Sequence, residues 1–180
     1  MAAPAQAPRI RGATVATVDP QLRALVGLGN PGKAYAATRH NVGFMAIDRL
    51  AARQGAAWSA KFNGQFGRCR LAGPQGEVDL ALLQPLTFMN CSGHPTQQMC
   101  AFFGYKPAEL LIFHDDLDLA FGRVQIKVGG GHGGHNGLRS LVAQLGDGAF
   151  VRVRGAVKVM CHLMFGLLAL TAVQLFHLLE

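Results

Sequence analysis

Apolar positions along the chain fall into short runs and helical stripes that alternate. Leu22–Leu28, LRALVGL, is a short apolar run and predicts a buried strand. GNPGKAYAATRH (29–40) follows as a loop rich in Gly and Pro. From Asn41 the pattern becomes helical, with Val42, Met45, Ala46 and Leu50 at spacings of three and four, and Gly55 is placed to end that helix. Residues 65–71 and 77–83 predict two strands joined by a turn at Gly73-Pro74-Gln75-Gly76. QPLTFMNCSG is a loop with an apolar tip. The short helix after it carries Met99, Phe102 and Phe103, with Pro95 tolerable only in its first turn. LLIFH (110–114) predicts another buried strand and RVQIKV (123–128) an alternating one. GGGHGGHNG (129–137) reads as a glycine-rich loop. Leu138, Leu141, Val142 and Leu145 form the stripe of a helix that Gly146 can stop, and FVRVR (150–154) is a strand with Arg152 and Arg154 on one face.

Strands and helices alternating in this way predict the α/β class: a single domain, residues 21–155, with a twisted mixed β-sheet flanked by helices. No repeat or dividing linker interrupts it. Residues 1–20 read as a disordered N-terminal extension. Residues 156–180 differ in character. Val159 to Leu179 is a stretch of 21 residues without a formal charge, long enough for a bilayer. His162, Thr171, Gln174 and His177 interrupt it and no aromatic belt flanks it, so a helix packed on the sheet is expected, not a membrane span.

With 180 residues the chain can bury a sizeable core, and 15% charged residues exclude wholesale disorder. Seventeen Lys and Arg against ten Asp and Glu give a net charge of +7, which favours a polyanionic partner. Cys69, Cys91, Cys100 and Cys161 form no C-x-x-C pair, so zinc-ribbon and thioredoxin chemistry is not expected. Without a secretory signal the thiols read as reduced and the protein as cytoplasmic. The first eighteen residues lack acids, and mitochondrion or plastid is the alternative if they are a transit peptide.

GLGNPG (27–32) matches G-x-G-x-x-G, but Pro31 sits inside it, the loop runs on to Arg39, and Asp48 falls within a helix, so a dinucleotide site is not expected. His40 stands between a loop and a helix start. Asn30, Asn90, Asp115, Asp116, Asp118 and Asn136 lie on other loop tips, and in open α/β sheets such tips converge. An imidazole can take a proton from water, a carboxylate can fix its tautomer, and Asn amides can hold a carbonyl or an oxyanion without titrating. With no Ser or Cys in a nucleophile elbow, direct attack by water on a neutral acyl bond is the expected chemistry. A metal site from His114, Asp115, Asp116, Asp118, His132 and His135 is the weaker alternative, because H-x-x-H in a glycine loop lacks a rigid helix. Lys127, Arg139, Arg152 and Arg154 suggest a phosphate-binding patch beside the crevice.

VGLGNPGKAYAATRHNVGF, QPLTFMNCSG, IFHDDLDLAFGRVQIKVGGGHGGHNGLRSL and FVRVR, in that order, resemble the bacterial-type peptidyl-tRNA hydrolases from about Leu22 to Arg154. Four ordered motifs are far more specific than one short pattern. The resemblance implies cleavage of the ester between peptide and tRNA, with no cofactor and no metal, by a cytoplasmic monomer whose partner is peptidyl-tRNA and not a membrane. It implies His40 as general base and Asp115 as its orienting carboxylate. Asn30, Tyr35, Met89, Asn90, His135 and Asn136 would line the peptide and ester site, and Lys127 and Arg154 would grip tRNA phosphates. The tail from 156 resembles nothing in the family, whose members continue into a lid and an amphipathic helix. That departure predicts reduced stability. It also leaves a second expectation, a weak or inactive tRNA- or RNA-binding variant.

Overall fold

The computed structural model describes residues 22–73, 76–119, 124–146 and 148–155. The expected N-terminal extension and the tail from 156, with Cys161, lie outside these residues. Seven strands form one sheet: β1 Ala24–Gly27, β2 Ser59–Lys61, β3 Gly64–Gly73, β4 Gly76–Pro85, β5 Leu110–Asp115, β6 Val124–Val128 and β7 Val151–Gly155. Their order is β2-β3-β4-β1-β5-β7-β6. The central four run parallel, while β2, β3 and β6 pair antiparallel at the flanks. The sheet is mixed, as the alternation of elements predicted. Among the described residues no helix is long and apolar enough to cross a membrane.

Period-two alternation assigns each strand side chain to one of two cores. Leu25, Leu80, Leu82, Leu111, Phe113, Val151 and Val153 face helix α1, Val42–Arg53, which buries Val42, Ala46, Ile47 and Leu50 against them. Ala24, Val26, Ala81, Leu83, Leu110 and Ile112 face helices α2, Gly93–Phe103, and α3, Asn136–Leu145. Those two helices meet where Gly93 donates its N–H to the Ser140 hydroxyl at 2.9 Å. Gly104 and Gly146, both at φ +70°, end them in the left-handed conformation that glycine adopts without penalty. Pro95 falls in the first turn of α2, the position it tolerates.

Two elements depart from the expected pattern. β2 was not anticipated: Ser59, Ala60 and Lys61 are all exposed and carry no apolar alternation. It is held by pairing with β3 and by Lys61, whose Nζ lies 3.9 Å from the centre of the Phe102 ring. The glycine-rich loop is shorter than expected, because α3 begins at Asn136 and not after Gly137. The His135 side chain supplies the cap that allows this.

α1 approaches the carboxyl ends of β1 and β5 backbone to backbone. A Cβ on Gly43 would overlap the main chain of Leu28 and Phe113, and one on Gly27 would overlap the Gly43 carbonyl. Gly27 and Gly29 of the GLGNPG segment therefore serve packing, a Cβ on Gly29 standing 2.7 Å from the Phe44 ring, whereas Gly32 serves its turn at φ +107°. In an ordinary helix Gly43→Ala would gain about 0.5–1 kcal/mol. Overpacking against rigid backbone costs about 1–3 kcal/mol and should win. Urea unfolding is expected to show a lower midpoint for Gly43→Ala, and a raised midpoint would contradict this packing account.

Candidate active site

β5 delivers its last residue to the rim between the two cores. Odd-numbered side chains of β5 face α1 and even-numbered ones face α3, so Asp115 ends the α1 face and His114 the other. Asp115 is buried, at 3% exposure. His40 lies in a single 3-10 turn, Arg39–Asn41, directly before α1. Its Nδ1 stands 3.0 Å from Oδ1 and 3.0 Å from Oδ2 of Asp115. From the N-cap of α3, His135 Nε2 reaches Oδ1 at 3.0 Å, and Arg39 Nε approaches Oδ2 at 4.0 Å. Burial by itself would raise the Asp115 pKa. Hydrogen bonds from His135 and His40, and the charges of those rings, outweigh it and hold the carboxyl at about 2. It is an ionised acceptor at any working pH.

That acceptor fixes what its partners present. A carboxylate cannot donate, so His40 carries its proton on Nδ1. In the neutral ring Nε2 then carries the lone pair, with no partner among the described residues, on a side chain 44% exposed. His135 Nδ1 accepts from the backbone N–H groups of Gly137 (3.1 Å) and Leu138 (3.3 Å), capping α3, so its proton sits on Nε2. A Cβ on Gly137 would stand 2.6 Å from Met89 Sδ, so glycine lets the start of α3 sit against Met89 without displacing that side chain.

His135 arrives by a route that loop convergence does not explain. β6 ends at Val128 opposite Val151, the amino end of β7, whereas His135 touches the carboxyl end of β5. Residues 129–134 therefore run back along the height of the sheet. Gly129, Gly130, Gly133 and Gly134 take positive φ to do so. Arg152, buried beneath them, donates to the carbonyls of Gly131 at 2.9 Å and of Gly129. Arg152 thus anchors the loop and is not part of a surface patch. Lys127 is exposed nearby, while Arg154 donates to Asp116 Oδ2 at 2.6 Å and to Gln125 Oε1.

The amides form a relay that sequence reasoning caught only in part. Buried Asn41 accepts from Asn30 N at 2.8 Å and donates to Asn30 O at 2.9 Å. Asn30 Oδ1 in turn accepts from Met89 N at 2.8 Å, tying the loop after β1 to the loop after β4. Asn41 was missed because a polar residue at a helix start reads as an ordinary cap. Its signal is adjacency to His40 inside the core-facing turn. Asn90 and Asn136 are exposed with no hydrogen-bond partner among the described residues. Tyr35 and Phe88 meet edge to face at 6.4 Å over the same rim, and both are exposed.

The six residues of the weaker, metal-binding alternative do not gather at one point among the described residues. Among the described residues His40, Asp115 and His135 bring ligand atoms within 4.8 Å of one another. This trio suits a cation poorly, because the backbone donors on His135 Nδ1 keep the proton on Nε2, the atom a metal would need. Asp116 is committed to Arg154 and to the Asp118 N–H, and His132 Nδ1 accepts from Gly134 N. Burial, aided by Asp79, pushes the Cys69 thiol up to about 11; burial, aided by Glu109, does the same at Cys100. Neither is a ready nucleophile.

A family model described as peptidyl-tRNA hydrolase matches residues 24–158. A peptidyl-tRNA hydrolase of Sorangium cellulosum is 56% identical over 131 residues, covering 72% of this chain and 57% of that protein. One from Geobacter sulfurreducens is 52% identical over 131 residues, covering 72% and 66%. The crystal structure of peptidyl-tRNA hydrolase from Acinetobacter baumannii matches with a TM-score of 0.75 at 34% identity, covering 88% of each chain. The chain spans between about half and two thirds of the length of the curated relatives it matches.

The site carries its own pH signature. Burial first, then the neighbouring His135, push the His114 pKa down to about 4, against opposing contributions from Asp115; Arg152 lowers it further. A depressed base is neutral in the fold and protonated in the unfolded chain between pH 6.5 and 4, so stability falls as pH drops through that window. The slope should approach about 1.4 kcal/mol per pH unit and the total about 3 kcal/mol. Urea midpoints measured from pH 7.5 to 4.5 should show this loss, and His114→Asn should flatten it. An equal slope in both chains would contradict the assignment.

Proposed function

The chain belongs to the peptidyl-tRNA hydrolase family, and on that premise we propose that it hydrolyses the ester joining a peptide to tRNA. The observation that carries the reading is the Nδ1–H···carboxylate bond from His40 to Asp115, which leaves the Nε2 lone pair available. In this reading Nε2 takes a proton from water as the water oxygen attacks the ester carbonyl carbon. Asp115 stabilises the imidazolium that results. The carbonyl oxygen becomes an oxyanion, and the free amide donors of Asn30, Asn90 or Asn136 are the groups that can receive it. Collapse breaks the bond to the ribose oxygen, which takes the proton back from His40. The products are the peptide's carboxylic acid, which gives its proton to water and becomes a carboxylate, and tRNA with its terminal hydroxyl restored.

Tyr35, Met89 and His135 line the peptide side in this proposal. Lys127 meets tRNA phosphate directly, and Arg154 does so while shared with Asp116. The +7 charge suits such a partner. The proposed setting is the cytoplasm, with a single copy of the chain acting on each peptidyl-tRNA.

The test is release of tRNA from an N-blocked aminoacyl-tRNA. The chain should turn over, and His40→Ala should lose about 10²–10⁴ in rate while it remains folded. Release that persists at the parental rate in His40→Ala would overturn the assignment of the base. No release by the unmodified chain would overturn the activity.

A further inference from the structure

We propose that His114 is a positioning residue for the catalytic carboxylate: it supplies the main-chain partner that Asp115 lacks and props the ring of His135. This rests on the hydrolase reading above. Along β5, Phe113 turns its carbonyl toward β1 and accepts the N–H of Leu28 at 2.9 Å. Two residues on, the Asp115 carbonyl points to the same side. There β1 has ended at Gly27 and the chain has left for the 28–41 loop, so no strand remains to donate. On the other side the ladder persists, since Asp116 N donates to Gly155 O at 3.0 Å. The orphaned carbonyl is met by the preceding side chain: His114 Nδ1 lies 2.6 Å from Asp115 O. A carbonyl only accepts, so His114 carries its proton on Nδ1.

The same ring touches the second partner of the carboxylate. His114 and His135 pack edge to face with centres 4.9 Å apart. His114 therefore meets the main chain of Asp115 on one side and the ring that holds its carboxylate on the other. The residue is buried, and its Nε2 has no hydrogen-bond partner among the described residues. A histidine serving only as core filling would cost less as an apolar residue, since an unpaired buried ring nitrogen costs about 1–3 kcal/mol. The site tolerates that cost where a donor is needed at Nδ1. His114 touches neither the attacking water nor the ester in this scheme. It acts through Asp115 and His135, and so on the orientation of His40.

The experiment has two arms. A long-range proton–nitrogen NMR spectrum of the unmodified chain at neutral pH should show His114 protonated on Nδ1 and His135 on Nε2; the opposite tautomer at His114 overturns the proposal without any assay. In the tRNA-release assay, His114→Leu should lower kcat by about 10- to 100-fold with KM within about two-fold, the pattern of a misplaced catalytic group. His114→Asn keeps an N–H donor where Nδ1 stands and should stay within about three-fold of the parent. A folded Leu variant with parental kcat, or an Asn variant as slow as Leu, overturns the proposal. If the Leu variant does not fold, the Asn variant and the tautomer decide. Absence of turnover in the unmodified chain counts against the hydrolase reading, while the spectrum still decides the His114 contact.

Discussion

A single buried carboxylate organises the site. Asp115 stands at the end of β5, where the two helical layers on opposite faces of the sheet come within reach of the same atom. A buried charge is tolerated only when it is paired and hydrogen-bonded. Here the pairing comes from both layers at once: His40 from the turn before α1, His135 from the cap of α3. The requirement to satisfy one anion therefore fixes two loops relative to a strand end. It also fixes proton positions. His40 and His114 must be protonated on Nδ1, His135 on Nε2, each because its partner can act in only one sense. The free Nε2 of His40 follows from these constraints, and it is the atom that the proposed chemistry uses.

The approach of α1 makes the arrangement reachable. Because Gly43 and Gly27 carry no side chain, the first turn of α1 rests directly on strand backbone, and His40 stands within hydrogen-bond distance of Asp115. The amide relay from Asn41 through Asn30 to the Met89 N–H then couples that turn to the next loop. Part-buried polar networks of this kind favour one geometry, and removing a member leaves its partners unpaired.

Much of this was legible in the amino-acid pattern. The apolar runs ending near Gly27 and Asp115 placed two central strands, the polar residues beyond them offered His40 and three aspartates as candidates, and the family resemblance singled out Asp115 as the partner of His40. The expectation that tips at strand carboxyl ends converge held for the loops after β1, β4 and β5. It did not cover His135, whose segment starts at the opposite end of the sheet and depends on glycine conformations and on Arg152 beneath it. Arg152 and Arg154 share a face, as alternation requires, yet one lies under the loop and the other pairs with Asp116. Side-chain burial at a sheet edge depends on what folds over it, and a periodic pattern does not encode that. Asn41 and His114 were hidden for a related reason: each satisfies main-chain groups left over where β1 departs, and those groups appear only once the strands are paired.

The most direct test of the central role given to this carboxylate is the single-turnover rate of tRNA release by Asp115→Asn. The amide keeps the shape but removes the charge and replaces one acceptor oxygen with a donor facing a ring N–H. A loss of about 10²–10⁴ in the chemical step is expected, with substrate affinity little changed. A rate within about three-fold of the parent chain would contradict it.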